Sequence, residues 1–219
     1  MSLSNSPKLI KGGLVVLDPS GNAIKHSIAL QYNPDTLSRS YQVQGAGGDG
    51  GGERATPFRL KGPAIETIKL DAEIDATDAL EFPDQNPGTT RNGIAPQLAA
   101  LEALVNPSSD EISALNALGA AGTLEIVPPN APLVLFIWSS NRIVPVRVTD
   151  FSITEEAFDP ALNPIRAKVS LGLRVMSTDD LGFASRGGAL FLNHLRKREA
   201  LAATTGTATL QTLGVSNLP

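Results

Sequence analysis

The run from Ile165 to Met176 constrains this chain more than any other: Ile165, Ala167, Val169, Leu171, Leu173 and Val175 alternate with Arg166, Lys168, Ser170, Gly172 and Arg174. A period of two is the repeat of an extended chain, so the segment predicts a half-buried β-strand with a basic outer face. Ile65 to Asp75 repeats the pattern with the opposite charge, setting Ile68, Leu70, Ala72 and Ile74 against Lys69, Asp71, Glu73 and Asp75. A strand with one apolar face must bury it against another layer, so a sheet organises the fold.

The flanking sequence supplies further strands. Leu9–Asp18 and Ile24–Tyr32 surround Pro19-Ser20-Gly21-Asn22, which predicts a β-hairpin, and Leu37–Val43 resumes after the turn Asn33-Pro34-Asp35. Thr123–Val127, Leu133–Ser139 and Ile143–Phe158 read as strands. Within the last, Val144, Val146 and Val148 hold even positions but Phe151 and Ile153 odd ones, which predicts a β-bulge near Thr149 and Asp150. Phe82–Gly93, rich in Pro, Gly and Asn, reads as a loop. Ile94, Leu98, Leu101, Leu104 and Val105 then recur at helical spacing up to Pro107. Ser108 or Ser109 caps a second helix with Glu111 in its first turn and Ile112, Leu115 and Leu118 as its stripe. The fold class is mainly β (β+α), an antiparallel sheet or barrel carrying a packed helix. The tail from Thr178 contains a short helix over Ala189–Ala203 with a basic stretch at Arg196, Lys197 and Arg198.

Composition narrows the function. Lys plus Arg number 18 against 22 Asp plus Glu, a net charge of −4, which argues against general binding to nucleic acid. Charged residues are 18% of the chain against roughly 25% in soluble domains, so much of the surface is expected to be covered by other subunits. The absence of cysteine excludes disulfides, thiolate catalysis and cysteine metal sites. No run approaches a membrane span, and the N-terminal segment lacks the apolar core of a signal peptide, so no membrane insertion is expected.

The search for chemistry returns little. Gly45-Ala46-Gly47-Gly48-Asp49-Gly50 has the spacing of a dinucleotide-binding loop, but more glycines and Pro57 follow where a helix should open. Gly45–Gly52, six glycines in eight positions, reads instead as a loop tip that orders on assembly, which makes Gly47, Gly48, Gly50 and Gly51 candidate interface residues. Asp71, Glu73, Asp75 and Asp78 superficially resemble a calcium loop, but Ala76 stands where glycine is needed. His26 and His194 have no second ligand at metal spacing, and Glu155, Glu156 and Asp159 are carboxylates with no sign of a substrate beside them. No catalytic residue, cofactor or metal is expected. The acidic Asp71, Glu73 and Asp75 and the basic Lys168 and Arg174 have two readings: local pairing within one sheet, or head-to-tail contacts between subunits if their strands lie on opposite edges.

Two stretches carry a resemblance. Ile-Ala-Leu-Gln-Tyr-Asn-Pro-Asp-Thr-Leu at Ile28–Leu37, with Tyr32, Asn33 and Pro34, is one; Leu135–Ser177, with Trp138, Phe158, Asp159, Asn163, Pro164, Arg166 and Ala167, is the other. Together they resemble the tube-like domain of baseplate hub and tube-initiator proteins of contractile injection systems, relatives of contractile phage tails. Asn163 stands where that family commonly has Gly, and Asn tolerates a left-handed backbone. The resemblance covers roughly residues 8–177. It implies a tube-type split β-barrel with a helical insertion near 94–118 and a C-terminal tail, 178–219, that contacts neighbouring subunits. It further implies a hexameric ring between the inner tube and the spike, in contact with other baseplate proteins and assembled in the cytoplasm. Many longer members end in a LysM module, of which the last 43 residues show no βααβ pattern. The leading expectation is therefore a non-enzymatic hub ring that adapts tube to spike and initiates the tube. The alternatives are a repeating inner-tube subunit and a soluble β-rich enzyme.

Overall fold

The computed structural model describes residues 10–18, 23–45, 60–120, 132–206, 211–212 and 214–216. The strands are β1 (Gly13–Leu17), β2 (Ile24–Ala29), β3 (Leu37–Gln42), β4 (Ile65–Asp75), β5 (Val134–Ile137), β6 (Ile143–Phe158) and β7 (Pro164–Val175). They form one antiparallel sheet in the order β2-β1-β5-β6-β7-β4-β3. The helices are α1 (Thr77–Leu80), α2 (Pro87–Asn92), α3 (Ala95–Glu102), α4 (Ser109–Ala120), α5 (Thr178–Leu181) and α6 (Arg186–Ala203). The expected strand Thr123–Val127 and the glycines of the loop beyond Gly45 lie outside the described residues.

The alternating faces predict the core. Ala167, Val169, Leu171, Leu173 and Val175 of β7 and Ile68, Leu70 and Ala72 of β4 are buried, and Phe136, Val144 and Val146 continue the same layer. Ile94, Leu98 and Leu101 from α3 and Phe191 from α6 cover it. The phase change in β6 is a bulge: pairing with β7 shifts between Val148 and Asp150, leaving Thr149 outside the ladder. Its hydroxyl donates to the Gly172 carbonyl (3.2 Å), and a Cβ on Gly172 would stand 2.8 Å from that of Asp150. Only glycine leaves the strands room to close over the bulge.

Several expectations are corrected. Phe82–Gly93 is not a plain loop: Pro87 opens the helical turn α2, which stops at Gly93. Gly93 has φ +57°, and its missing Cβ would lie 2.1 Å from the Pro164 carbonyl oxygen. That carbonyl instead accepts from Ile94 N (2.8 Å), which seats the start of α3 on the β6–β7 turn. α3 ends at Glu102, so Leu104 packs only partly and Val105 is exposed. In α4, Ser108 and Glu111 form the expected reciprocal cap, but Ile112 and Leu118 of the stripe are exposed and Leu115 is only half-buried. α6 begins at Arg186, three residues before the expected start, because the Ser185 hydroxyl accepts from Gly188 N (2.9 Å). It packs along β6, with Phe191 and His194 buried beneath it.

Candidate assembly surfaces

The acidic and basic strands are neighbours in one sheet, the arrangement in which their charges can pair locally. β4 pairs β7 with Asp75 opposite Arg166, Glu73 opposite Lys168 and Asp71 opposite Ser170. Arg166 Nε donates to Asp75 Oδ2 (2.8 Å), Lys168 Nζ meets Glu156 Oε1 (2.8 Å) on β6, and Arg174 Nη2 meets Asp180 Oδ1 (2.8 Å) after β7. The Thr77 hydroxyl and then the Arg166 guanidinium hold the Asp75 carboxyl below its usual range. This outer face is a balanced ladder of charges, worth little to stability in water. A neighbouring subunit would meet both signs there.

The motif residues build turns. Asn33 does not bond back to its own turn: its Oδ1 accepts from Gly12 N and its Nδ2 donates to the Ile10 carbonyl, both at 2.9 Å, tying the end of the first hairpin to its beginning. Tyr32 is exposed beside it. Between β6 and β7, Asp159 Oδ1 accepts from the backbone of Ala161 and Asn163, and its Oδ2 from Asn163 Nδ2, each at 2.8 Å. The Asn163 amide holds the Asp159 carboxyl below its ordinary range. The left-handed residue of this turn is Leu162 (φ 65°), not Asn163, whose side chain is spent on the Asp159 cage and the Arg91 carbonyl. Phe158 and Leu162 stand exposed at the tip, Ala167 is fully buried, and Trp138 stacks on Phe136 with ring centres 5.8 Å apart. Among the described residues no group of His, Asp and Glu can hold a metal ion, and no helix is long and apolar enough to cross a membrane.

The sheet is open. β2 and β3 occupy its two edges, and the segment after β2 curls back towards the far end of β4. There Gln31 Nε2 donates to the Asp75 carbonyl (2.6 Å) and Gln31 Oε1 accepts from Asp75 N (2.9 Å). The space left between β2, β4 and α3 is a cleft of about 530 Å³ lined by Ile28, Leu30, Ala72, Ile94 and Leu101.

A charged cluster lies under α6 at the other end of β4. Glu66 shares the core phase of Ile68 and Leu70 and is buried. Its Oε1 accepts from the Tyr41 hydroxyl (2.8 Å) and lies 3.6 Å from Arg39 Nη1, while its Oε2 accepts from Arg198 Nη1 (3.4 Å). Both guanidiniums stand over the Tyr41 ring, 5.8 and 5.2 Å from its centre. Burial, then the Glu66 hydrogen bond, pushes the Tyr41 phenol upward. Arg142, between β5 and β6, joins the group; burial and its fellow cations lower its affinity for a proton. Three arginines therefore surround one carboxylate. His194 lies buried beside them with Nδ1 unpartnered among the described residues, and burial depresses its pKa.

Comparison with known proteins adds three findings. A family model described as "contractile injection system tube protein" matches residues 14–184. No curated protein matches. Eight solved chains match, among them one from the "Tail of empty GTA particle computed with helical refinement, C6 symmetry", 12% identical over 75% of this chain and 90% of that one, with a TM-score of 0.29.

Proposed function

Because the chain belongs to the contractile injection system tube protein family, we propose that it is a ring-forming subunit of the tube line of such a particle, repeated along the inner tube. The family match carries this reading, since it spans the sheet from β1 through α5. The edges that β2 and β3 form among the described residues support it, because an edge strand exposes a ladder of unpaired backbone groups that a lateral neighbour can complete. Six-fold closure follows the family resemblance. The family is one of structural tube proteins, and the functional surfaces are accordingly edges, ends and turns.

A second reading places the ring at the junction of tube and spike, as a hub or initiator. Its support is the pair of motifs at Tyr32-Asn33-Pro34 and Phe158–Ala167. In either position α6 packs on this subunit's own core through Phe191. The two positions differ in what the ring stacks upon.

Size-exclusion chromatography with light scattering, followed by negative-stain imaging, tests the assignment. Rings with a central hole that stack into tubes unaided support the repeating subunit. Rings that stay single, or close only beside a tube or spike partner, support the hub. A monomer indifferent to all partners and concentrations refutes both.

A further inference from the structure

The two ends of β4 carry surfaces that fit one another but cannot meet within one subunit. Nine residue-to-residue steps of strand separate Glu66 from Asp75, about 30 Å at the rise of an extended chain. Beyond Asp75 the chain makes α1 and the tight turn after it, where Asp78, Glu81 and Asp84 are all exposed with no cation among residues 77–90. Phe82, in the middle, is 55% exposed. The turn is held in shape from within: Asn86 Nδ2 donates to the carbonyls of Ala79 (3.0 Å) and Phe82 (3.1 Å). It is a preformed knob, one aromatic ring between carboxylates.

At the Glu66 end, a groove of about 530 Å³ runs between α6 and the start of β4. Its floor is apolar, from Ala64, Phe191, Leu195 and Ala202, and its rim carries Arg198 and Glu199. Arg39 and Arg142 stand behind Arg198 around the single Glu66 carboxylate. Among the described residues Arg142 has no ion pair and no side-chain hydrogen bond, so the three arginines exceed the carboxylates of Glu66 and Glu199 by one positive charge. An aromatic ring suits the floor, and a carboxylate beside the ring suits the rim.

We infer that the groove under α6 receives the Glu81-Phe82-Pro83-Asp84 knob of a second copy of this chain in the next ring. The contact is heterologous, one end of a subunit against the other end of its neighbour. Repeated by translation it does not close, which is the condition for a stack of indefinite length. This inference rests on the tube-ring reading above and adds to it the residues and polarity of stacking.

The absence of native cysteine gives a clean test. The full-length chain carrying Asp84→Cys and Ala202→Cys, oxidised under assembling conditions, is expected to give a ladder of disulfide-linked multimers on a denaturing gel. Each single variant should give no more than dimers. In parallel, Glu81→Lys with Asp84→Lys, both on an exposed turn, should leave the circular dichroism spectrum and the rings intact and weaken stacking at least tenfold by sedimentation. Adding Arg198→Glu, at the groove rim, should recover part of that loss. Wild-type stacks that persist unchanged in the double-lysine variant, or a double-cysteine chain that yields no ladder while its rings stack, would overturn the inference and leave the ring reading standing. A wild-type chain that never forms rings overturns both.

Discussion

Replacing Glu66 by glutamine keeps its shape and one carbonyl oxygen for the Tyr41 hydroxyl but removes the charge that this bond and two arginines use. A hydrogen bond to an ionised acceptor contributes about 1.5–3 kcal/mol and a neutral one about 1, so the Tyr41 bond, 2.8 Å long, should lose roughly 1 kcal/mol. Arg198 and Arg39 lie 3.4 and 3.6 Å away with side chains 41% and 35% exposed, so water screens them and each pair adds about 0.5 kcal/mol or less. The total is about 1–2 kcal/mol, which in a chain of this size lowers Tm by roughly 2–8 °C. Urea denaturation of wild type, Glu66→Gln, Tyr41→Phe and the double variant gives the coupling energy directly, expected at about 0.5–1.5 kcal/mol. The loss should localise, so amide exchange in α6 should rise more than in β6 and β7. A Glu66→Gln variant as stable as wild type, or a coupling of zero, would refute the claim that this carboxylate holds α6 and β3 onto β4.

Phe191→Ala should cost about 3–5 kcal/mol, since the ring is buried in the core, and proteolysis should then cut within α6 before the sheet unfolds. Gly93→Ala should cost about 2 kcal/mol or more because it adds both a positive-φ penalty and a clash with the Pro164 carbonyl, whereas Gly88→Ala, in open space, should change stability by less than about 1 kcal/mol; thermal melts distinguish them. Burial lowers the pKa of His194 from its ordinary 6.5, so the unfolded chain binds the proton more readily. Stability should therefore be fully present above pH 6.5 and fall as the pH drops below it towards the folded-state pKa. The groups facing His194 are Glu66, which opposes the shift, and Arg198 and Arg142, which add to it. Denaturation curves at pH 7.5 and 5.5 should differ less in His194→Gln than in wild type.

What the sequence discloses follows the range of the interactions. β4 is legible to the residue, and β7 nearly so, because a half-buried strand writes its pleat into the order of residues. The bulge at Thr149 is legible for the same reason, as a break in phase. Glu66 was missed, although it left a trace: it occupies the same parity as Ile68 and Leu70, so a carboxylate stood on the buried side of an otherwise clean strand. Its partners Tyr41, Arg39 and Arg198 come from distant segments, and no local pattern joins them. The residue types predict a local turn at Asn33, but its amide reaches 21 and 23 residues back. The α4 stripe has helical periodicity without burial, since periodicity records an apolar face and not what covers it.

The strand order also governs how the chain emerges during synthesis. β1–β2 and β3–β4 are the first two hairpins made, yet they sit on opposite wings of the sheet, with β5, β6 and β7 between them. β4 has no inner partner until β7 arrives, 100 residues later by the numbering Asp75 to Val175, and at roughly 5–20 residues per second the wait is about 5–20 s. For that interval the nascent chain presents the apolar face of β4 and a bare inner edge to everything around the ribosome. Many ribosomes on one message would hold many such edges close together. The step most exposed to misassembly is therefore translation itself, before any subunit is complete.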